Sequence, residues 1–265
     1  MTSINSEISI RPFNEDDFSG IAAVGEASPP GPFLSADDIR HIYANRDNEQ
    51  LMAWFVAVDS EGEIVGSGFY AGQLARQDGD GDPEAENEIH TTFTIFCYVY
   101  PSLQGRGIGS NLYETVLAVL EPYRPYRLRT DMVEGQEQTL RFLVDRGFLE
   151  INREQESHLD IASFDSDKFA PELKRVKDQG IVIESVAGLG DDPDRDFKLY
   201  ELSESIHRDI PSGAADAPRA KTSFASWRDS VWSNPRLLPD AWFIAIDDSA
   251  YIGQSQFVSY EGSEL

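Results

Sequence analysis

Tyr98-Val99-Tyr100-Pro101-Ser102-Leu103-Gln104-Gly105-Arg106-Gly107-Ile108-Gly109-Ser110 is the stretch whose meaning settles the fold. Upstream, Ile89 to Tyr100 is a β-branched and aromatic run that Pro101 ends. Downstream, the apolar residues at 108, 112, 116, 119 and 120 share one face of a helix predicted over 106–121. Glycines 105, 107 and 109 join strand to helix. They let backbone N–H groups turn toward one point, and the helix start adds unpaired donors and the positive end of its dipole. Such a turn suits a pyrophosphate, and Arg106 adds a positive charge to it. Three other readings compete. A plain loop needs no ligand. A nucleotide P-loop requires Gly-Lys-Ser/Thr, whereas Gly109 is followed by Ser110 and Asn111. A dinucleotide fingerprint needs G-x-G-x-x-G after a βαβ strand, and the strand here belongs to a hairpin-rich antiparallel region.

Working outward, Ile8 to Arg11 reads as a strand, Asn14 as the cap of a helix over 15–26, and Ser35 as the cap of a second helix to about Asn45. Met52–Asp59 and Glu63–Ala71 form a hairpin around Ser60-Glu61-Gly62, and residues 76–88 a polar acidic loop. After the central helix come a strand at 127–133, a helix at 136–146 with Leu140, Leu143 and Val144 inward, and a closing strand at 148–161. The class is α/β (α+β), with a mixed, mostly antiparallel central sheet flanked by helices.

Ala53-Trp54-Phe55-Val56-Ala57-Val58-Asp59 returns as Ala241-Trp242-Phe243-Ile244-Ala245-Ile246-Asp247, each position 188 residues on. The upstream order of a strand and two helices returns as well, with Ile181–Ile183 as the strand. A duplicated unit follows from order and spacing together. Residues 1–165 are expected to form one domain, 166–179 a linker and 180–265 an incomplete second unit. The third strand of that unit ends near Tyr260, and the counterpart of 104–110 would fall near residue 292, so the chemistry is expected from the first unit alone. An uncovered strand at 250–260 invites a covering element, hence an expected homodimer or docked half-domain.

With 47 acidic and 22 basic residues the net charge is -25, which makes nucleic acid a poor partner. Only 5 of the basic residues are lysine and 25 of the acids are aspartate. A salt-loving host suits this bias, and an arginine-rich, merely acidic protein remains the alternative. One cysteine, Cys97, excludes an internal disulfide; no apolar run approaches the ~18 residues of a membrane span. A cytoplasmic protein is expected. Asp78-Gly79-Asp80-Gly81-Asp82 begins like a calcium loop, but Pro83 and Ile89 stand where the turn glycine and bidentate glutamate belong. His41, His90, His158 and His207 lack metal spacing, so no metal is expected. Trp227 and Trp232 read as core or interface aromatics, not a cofactor box.

Val99-x-Pro101 followed by Gln104-Gly105-Arg106-Gly107-Ile108-Gly109 resembles the acyl-CoA signature Q/R-x-x-G-x-G/A of the GNAT acetyltransferase superfamily. The order of elements over 8–161 resembles the whole GNAT fold, and the second unit resembles its N-terminal half. The resemblance implies a site in which the backbone of Gly105, Arg106, Gly107, Ile108, Gly109 and Ser110, next to Gln104, holds the CoA pyrophosphate. Cys97, Tyr98 and Val99 would pair with the pantetheine arm, and an N–H of Cys97 or Tyr98 would polarise the thioester carbonyl. Cys97 itself reads as a small buried residue.

The family's N-x-x-A-x-x-L-Y-x-x-x-G-F motif is represented by Gln136 to Phe148, and Leu143 stands where the tyrosine acid belongs. Phe93 stands where some members carry a glutamate base. The remaining candidates for the base are Asp131 and Glu134 after the fifth strand, with Glu88 and His90 in reserve through a water. Tyr98 or solvent would manage the leaving thiolate. The implied activity is acetyl-CoA-dependent N-acetylation of a small-molecule or peptide amine; the alternatives are a catalytically silent acyl-CoA-binding or regulatory protein, and a scaffold with an idle cradle.

Overall fold

The computed structural model describes residues 8–28, 34–46, 50–73, 92–155, 157, 159–209 and 222–259. The expected acidic loop at 76–88, Asp78–Asp82, Glu88, His90 and His158 lie outside these. Packing divides the chain into two units, one running to Leu149 and one starting at Glu150, so residues 150–165 group with the second unit rather than the first.

The first unit runs β1 (Ser9–Pro12), a 3-10 turn (Glu15–Asp17), α1 (Phe18–Ala27), α2 (Ala36–Ala44), β2 (Gln50–Val58), β3 (Ile64–Gln73), β4 (Thr92–Val99), α3 (Ile108–Leu120), β5 (Arg127–Arg129) and α4 (Glu137–Val144). Its sheet has the order β1-β2-β3-β4-β5. Only the β4–β5 pair is parallel. Capping boxes start the helical segments as the sequence predicts: Asn14 with Asp17, and Ser35 with Asp38.

Alternation along β2 sends its side chains to two cores. Trp54, Val56 and Val58 join Phe18 and Ile21 of α1 and Ile39 of α2. Phe55 and Ala57 join Ile108, Leu112, Val116 and Leu120 of α3. Each of these fully buried aliphatic side chains contributes roughly 1.5–3 kcal/mol of transfer free energy. Small residues on β3 let α3 settle close to the sheet. A Cβ on Gly66 would lie 3.0 Å from the Tyr98 carbonyl oxygen and 3.1 Å from the Leu112 side chain. That contact seats the start of α3 beside the end of β4.

Arg11 and Asp17 tie β1 to the first turn: Nη1 and Nη2 donate to the two carboxylate oxygens at 2.6 and 2.9 Å, and the Asn14 N–H donates to the same carboxylate at 2.8 Å. The Arg11 hydrogen bond holds the Asp17 carboxyl below its ordinary range. A depressed native pKa means the contribution is full above the ordinary carboxylate range and disappears as pH falls through the native value. Asp17→Ala is expected to destabilise the first unit by about 1–2 kcal/mol at neutral pH, the cost of a cap and a charged hydrogen bond partly open to solvent. Urea unfolding at pH 7 and pH 3 checks this, the difference between wild type and variant narrowing at the lower pH.

Three sequence expectations are corrected. No strand forms over 148–161 among the described residues; Phe148 packs against Tyr113, but Leu149 is 83% exposed and Ile151 64%. Its alternating apolar residues find no partner strand, and a strand without one leaves its backbone groups to water. The fifth strand stops at Arg129 rather than 133. On α4, Leu140 and Val144 are 50% and 58% exposed, and Phe142 turns inward against Tyr113 instead.

The second unit comprises α5 (Ala170–Asp178), β6 (Val182–Ser185), α6 (Arg195–Asp209), α7 (Phe224–Trp232), β7 (Leu237–Asp247) and β8 (Ala250–Val258), with the sheet order β6-β7-β8. Its registers match those of the first sheet. Ile10 pairs with Ala57 and Ile183 with Ala245; Ala57 pairs with Gly66 and Ala245 with Gly253; the hairpin irregularity falls at Ala57/Val58 and at Ala245/Ile246. Trp242 and Ile244 form a core with Leu199 and Leu202, against which Trp227 and Trp232 pack as expected. The opposite face differs between the units. Phe55, under α3, is 6% exposed, whereas its counterpart Phe243 is 39% exposed.

Candidate active site

The turn between β4 and α3 is built by its own hydrogen bonds. The N–H of Leu103 donates to the Tyr100 carbonyl at 2.8 Å, and the Gln104 side-chain amide donates to the Val99 carbonyl at 3.1 Å. Gln104 braces the loop through that bond. Gly105 and Gly107 take left-handed φ values of +75° and +86°, which glycine adopts without steric cost. Gly107 caps α3, and the first bond into the helix is Asn111 N–H to Gly107 oxygen at 3.0 Å. Among the described residues, no protein acceptor takes an N–H from Gly105, Arg106, Gly107, Ile108, Gly109 or Ser110. A Cβ added to Gly105 or Gly107 would meet nothing within 4 Å. Six amides without a protein acceptor among the described residues, open space beside two glycines and a helix N-terminus coincide, a geometry that favours a polyanion. Arg106 stays exposed, one guanidinium nitrogen 3.3 Å from the Ser102 carbonyl oxygen.

Beside this turn the sheet opens. β5 pairs with Thr92, Phe93 and Thr94 of β4 and with nothing further along it. On the other side β3 pairs with all of β4, and the Tyr100 N–H continues that ladder to the Val65 carbonyl at 3.2 Å. Antiparallel ladders alternate, so Phe96 and Tyr98 direct their N–H groups at β3 while Cys97 and Val99 direct theirs into the opening. Of the two N–H groups offered by the sequence for a carbonyl ligand, the ladder selects that of Cys97. Burial pushes the Cys97 thiol up to about 12, against the opposing pull of the Arg146 charge. It is a neutral thiol at physiological pH, unsuited to nucleophilic attack.

Asp131 and Glu134 lie exposed in the turn after β5. Asp131 is close enough to Tyr98 that its negative charge adds to burial in raising the Tyr98 phenol, which stays protonated. Phe93, fully buried, packs edge-on to Tyr70 at 5.9 Å and belongs to the core. Leu143 offers no proton, and its carbonyl accepts the Phe148 N–H at 3.1 Å.

Sequence reasoning missed Tyr113 and Arg146. Arg146 follows α4 and donates to Ser110 Oγ at 2.9 Å and to the Phe142 carbonyl at 3.1 Å; its guanidinium lies 3.6 Å from the Phe142 ring centre and 5.2 Å from that of Tyr113. Burial raises the Tyr113 phenol, while Arg146 lowers it. Only an arginine four residues after an aromatic, in an acid-rich chain, hinted at this contact. Among the described residues no group of His, Cys, Asp and Glu forms a metal site, and no helix is long and apolar enough to cross a membrane.

The model of the acetyltransferase (GNAT) family matches residues 20–148. No curated protein sequence matches the chain. Among solved structures, a Trypanosoma brucei acetyltransferase is similar over 58% of this chain and 100% of its own, at 22% identity and a TM-score of 0.44. The aminoglycoside N-acetyltransferase AAC(6')-Iy, in complex with CoA, is similar over 60% of this chain and 99% of its own, at 15% identity and a TM-score of 0.43. A GCN5-related glucosamine N-acetyltransferase region in a fungal multi-domain GH3 beta-N-acetylglucosaminidase matches 95% of this chain and 28% of its own, at 16% identity and a TM-score of 0.51. The mixed sheet, the opening beside β4 and the glycine turn at its end agree with this match: residues 20–148 are similar to the GNAT acetyltransferase family.

Proposed function

We propose that the first unit binds acetyl-CoA and transfers its acetyl group directly to the nitrogen of a primary amine. The observation that carries this reading is the run of six amides from Gly105 to Ser110 that have no protein acceptor among the described residues, beside open space at Gly105 and Gly107. The diphosphate lies against these donors, and the pantetheine arm lies along the free edge of β4 as a further strand would. The Cys97 N–H points at the thioester carbonyl and holds its oxygen as negative charge develops there. Cys97 is a neutral thiol, which favours direct attack over an acyl-enzyme.

An alkylammonium group with a pKa near ~10 must first lose a proton. Asp131 accepts it through water, the free amine attacks the thioester carbon, and the C–S bond breaks with its electron pair on sulfur. Tyr98, whose phenol burial keeps protonated, is the donor assigned to the departing thiolate. The acidic composition, net charge -25, suits a cationic acceptor, a small amine or a peptide.

Leucine at position 143 favours a second reading, an acyl-CoA-binding protein without turnover. Calorimetry with acetyl-CoA, followed by CoA release against a panel of amines, tests both. Binding with turnover supports the transferase, binding without turnover supports the silent protein, and no binding removes both.

A further inference from the structure

Arg146 stands where helix electrostatics disfavour a cation. Its guanidinium is held over the first turn of α3 by the hydrogen bond to Ser110 Oγ at 2.9 Å. That is the positive end of the helix dipole, where a cation is disfavoured and an anion favoured. The chain carries 47 acidic residues, yet among the described residues no carboxylate forms an ion pair with Arg146. Its direction is fixed from behind by the Phe142 carbonyl at 3.1 Å and by the Phe142 ring at 3.6 Å. A guanidinium clamped flat on an aromatic ring loses little further freedom on binding and presents its remaining N–H groups ready for oxygen. Ser110, which receives one of them, also carries one of the unpaired cradle amides.

We infer that Arg146 is a second anion-binding residue of the cradle, closing on the diphosphate of CoA from the α4 side while the amides of Gly105 to Ser110 hold it from the α3 side. The inference rests on the CoA reading given above. It also explains how a chain of net charge -25 holds a polyanion: two arginines, Arg106 and Arg146, flank the donor ring. A free phosphate group on another molecule would meet the same chemistry, but the β4 edge beside the cradle selects a ligand with an extended amide-bearing arm.

Arg146→Met keeps the stem packing against Phe142 and Tyr113 and removes the charge; Arg146→Lys keeps the charge and loses the fork. CoA affinity measured by calorimetry across a salt series should fall roughly tenfold or more in the methionine variant. The salt dependence should weaken at the same time, and the lysine variant should recover part of the loss. Turnover at saturating acetyl-CoA should stay within about twofold of wild type, because the interaction is equal in ground and transition states. Unchanged CoA affinity in a folded methionine variant would overturn the inference and leave Arg146 a packing residue. A loss confined to turnover would also overturn it, assigning the charge to the departing thiolate. Should methionine prevent folding, an unchanged affinity and salt slope in the lysine variant would decide against the bidentate clamp. Failure of the wild-type protein to bind CoA removes the reading of the site itself, a result distinct from either variant outcome.

Discussion

Gly107→Trp is expected to abolish measurable CoA binding while leaving the first unit folded. A Cβ at this position meets nothing within 4 Å, so the indole can extend into the open space that the proposed diphosphate would need. The positive φ of +86° adds strain of about 1–2 kcal/mol, which a domain of this size tolerates. Loss of the close approach between backbone amides and phosphate oxygens should lower affinity by at least about a hundredfold, two charge-assisted hydrogen bonds being sufficient for that. Gly107→Ala separates the causes. It carries the same strain with little bulk, so it should retain most of the binding seen by calorimetry. Comparable losses in both variants would place the defect in the loop's conformation and not in the filled hollow.

Asp131→Ala should lower turnover by about a hundredfold, the lower end of the usual contribution of a positioned base, with CoA affinity unchanged. The carboxylate is exposed and touches no part of the cradle that the hydrogen bonds define, so stability should move by less than about 0.5 kcal/mol. Removing it also takes away a negative charge that helps keep the Tyr98 phenol protonated, so the pH dependence of kcat/KM should change shape along with the rate. Stopped-flow or steady-state assays of CoA release across pH test this. An unaltered rate and profile would transfer the role of base to another group or to solvent.

Local pattern made most of the first unit legible. The apolar spacing at 108, 112, 116 and 120 predicted α3, and each of those residues is buried. Asn14 and Ser35 cap as expected because capping depends on residues three apart. The Trp54 and Trp242 segments were matched by sequence, and their strands pair with the same registers. What the sequence concealed depends on distant partners. Leu149 to Ile161 alternates like a strand, but alternation cannot supply the neighbour that a strand requires, and Leu159 and Ile161 are exposed. The glycine turn was legible because its chemistry resides in the backbone. Arg146 was not, since only the packing of α4 beside α3 carries it to Ser110, 36 positions away. Gln104 was assigned to the cofactor from its place in the motif; its amide is committed to Val99.

The protonated state of Cys97 bears on how such a protein can be assayed. With its acidity moved up to about 12 and no second cysteine in the chain, the thiolate fraction at pH 8 is only about one in ten thousand. Disulfide-exchange dyes that report free sulfhydryls by colour would therefore register released CoA almost without background from the protein. For the same reason, inactivation by a maleimide or haloacetamide would indicate a transient opening of β4, whose frequency the rate of labelling would measure.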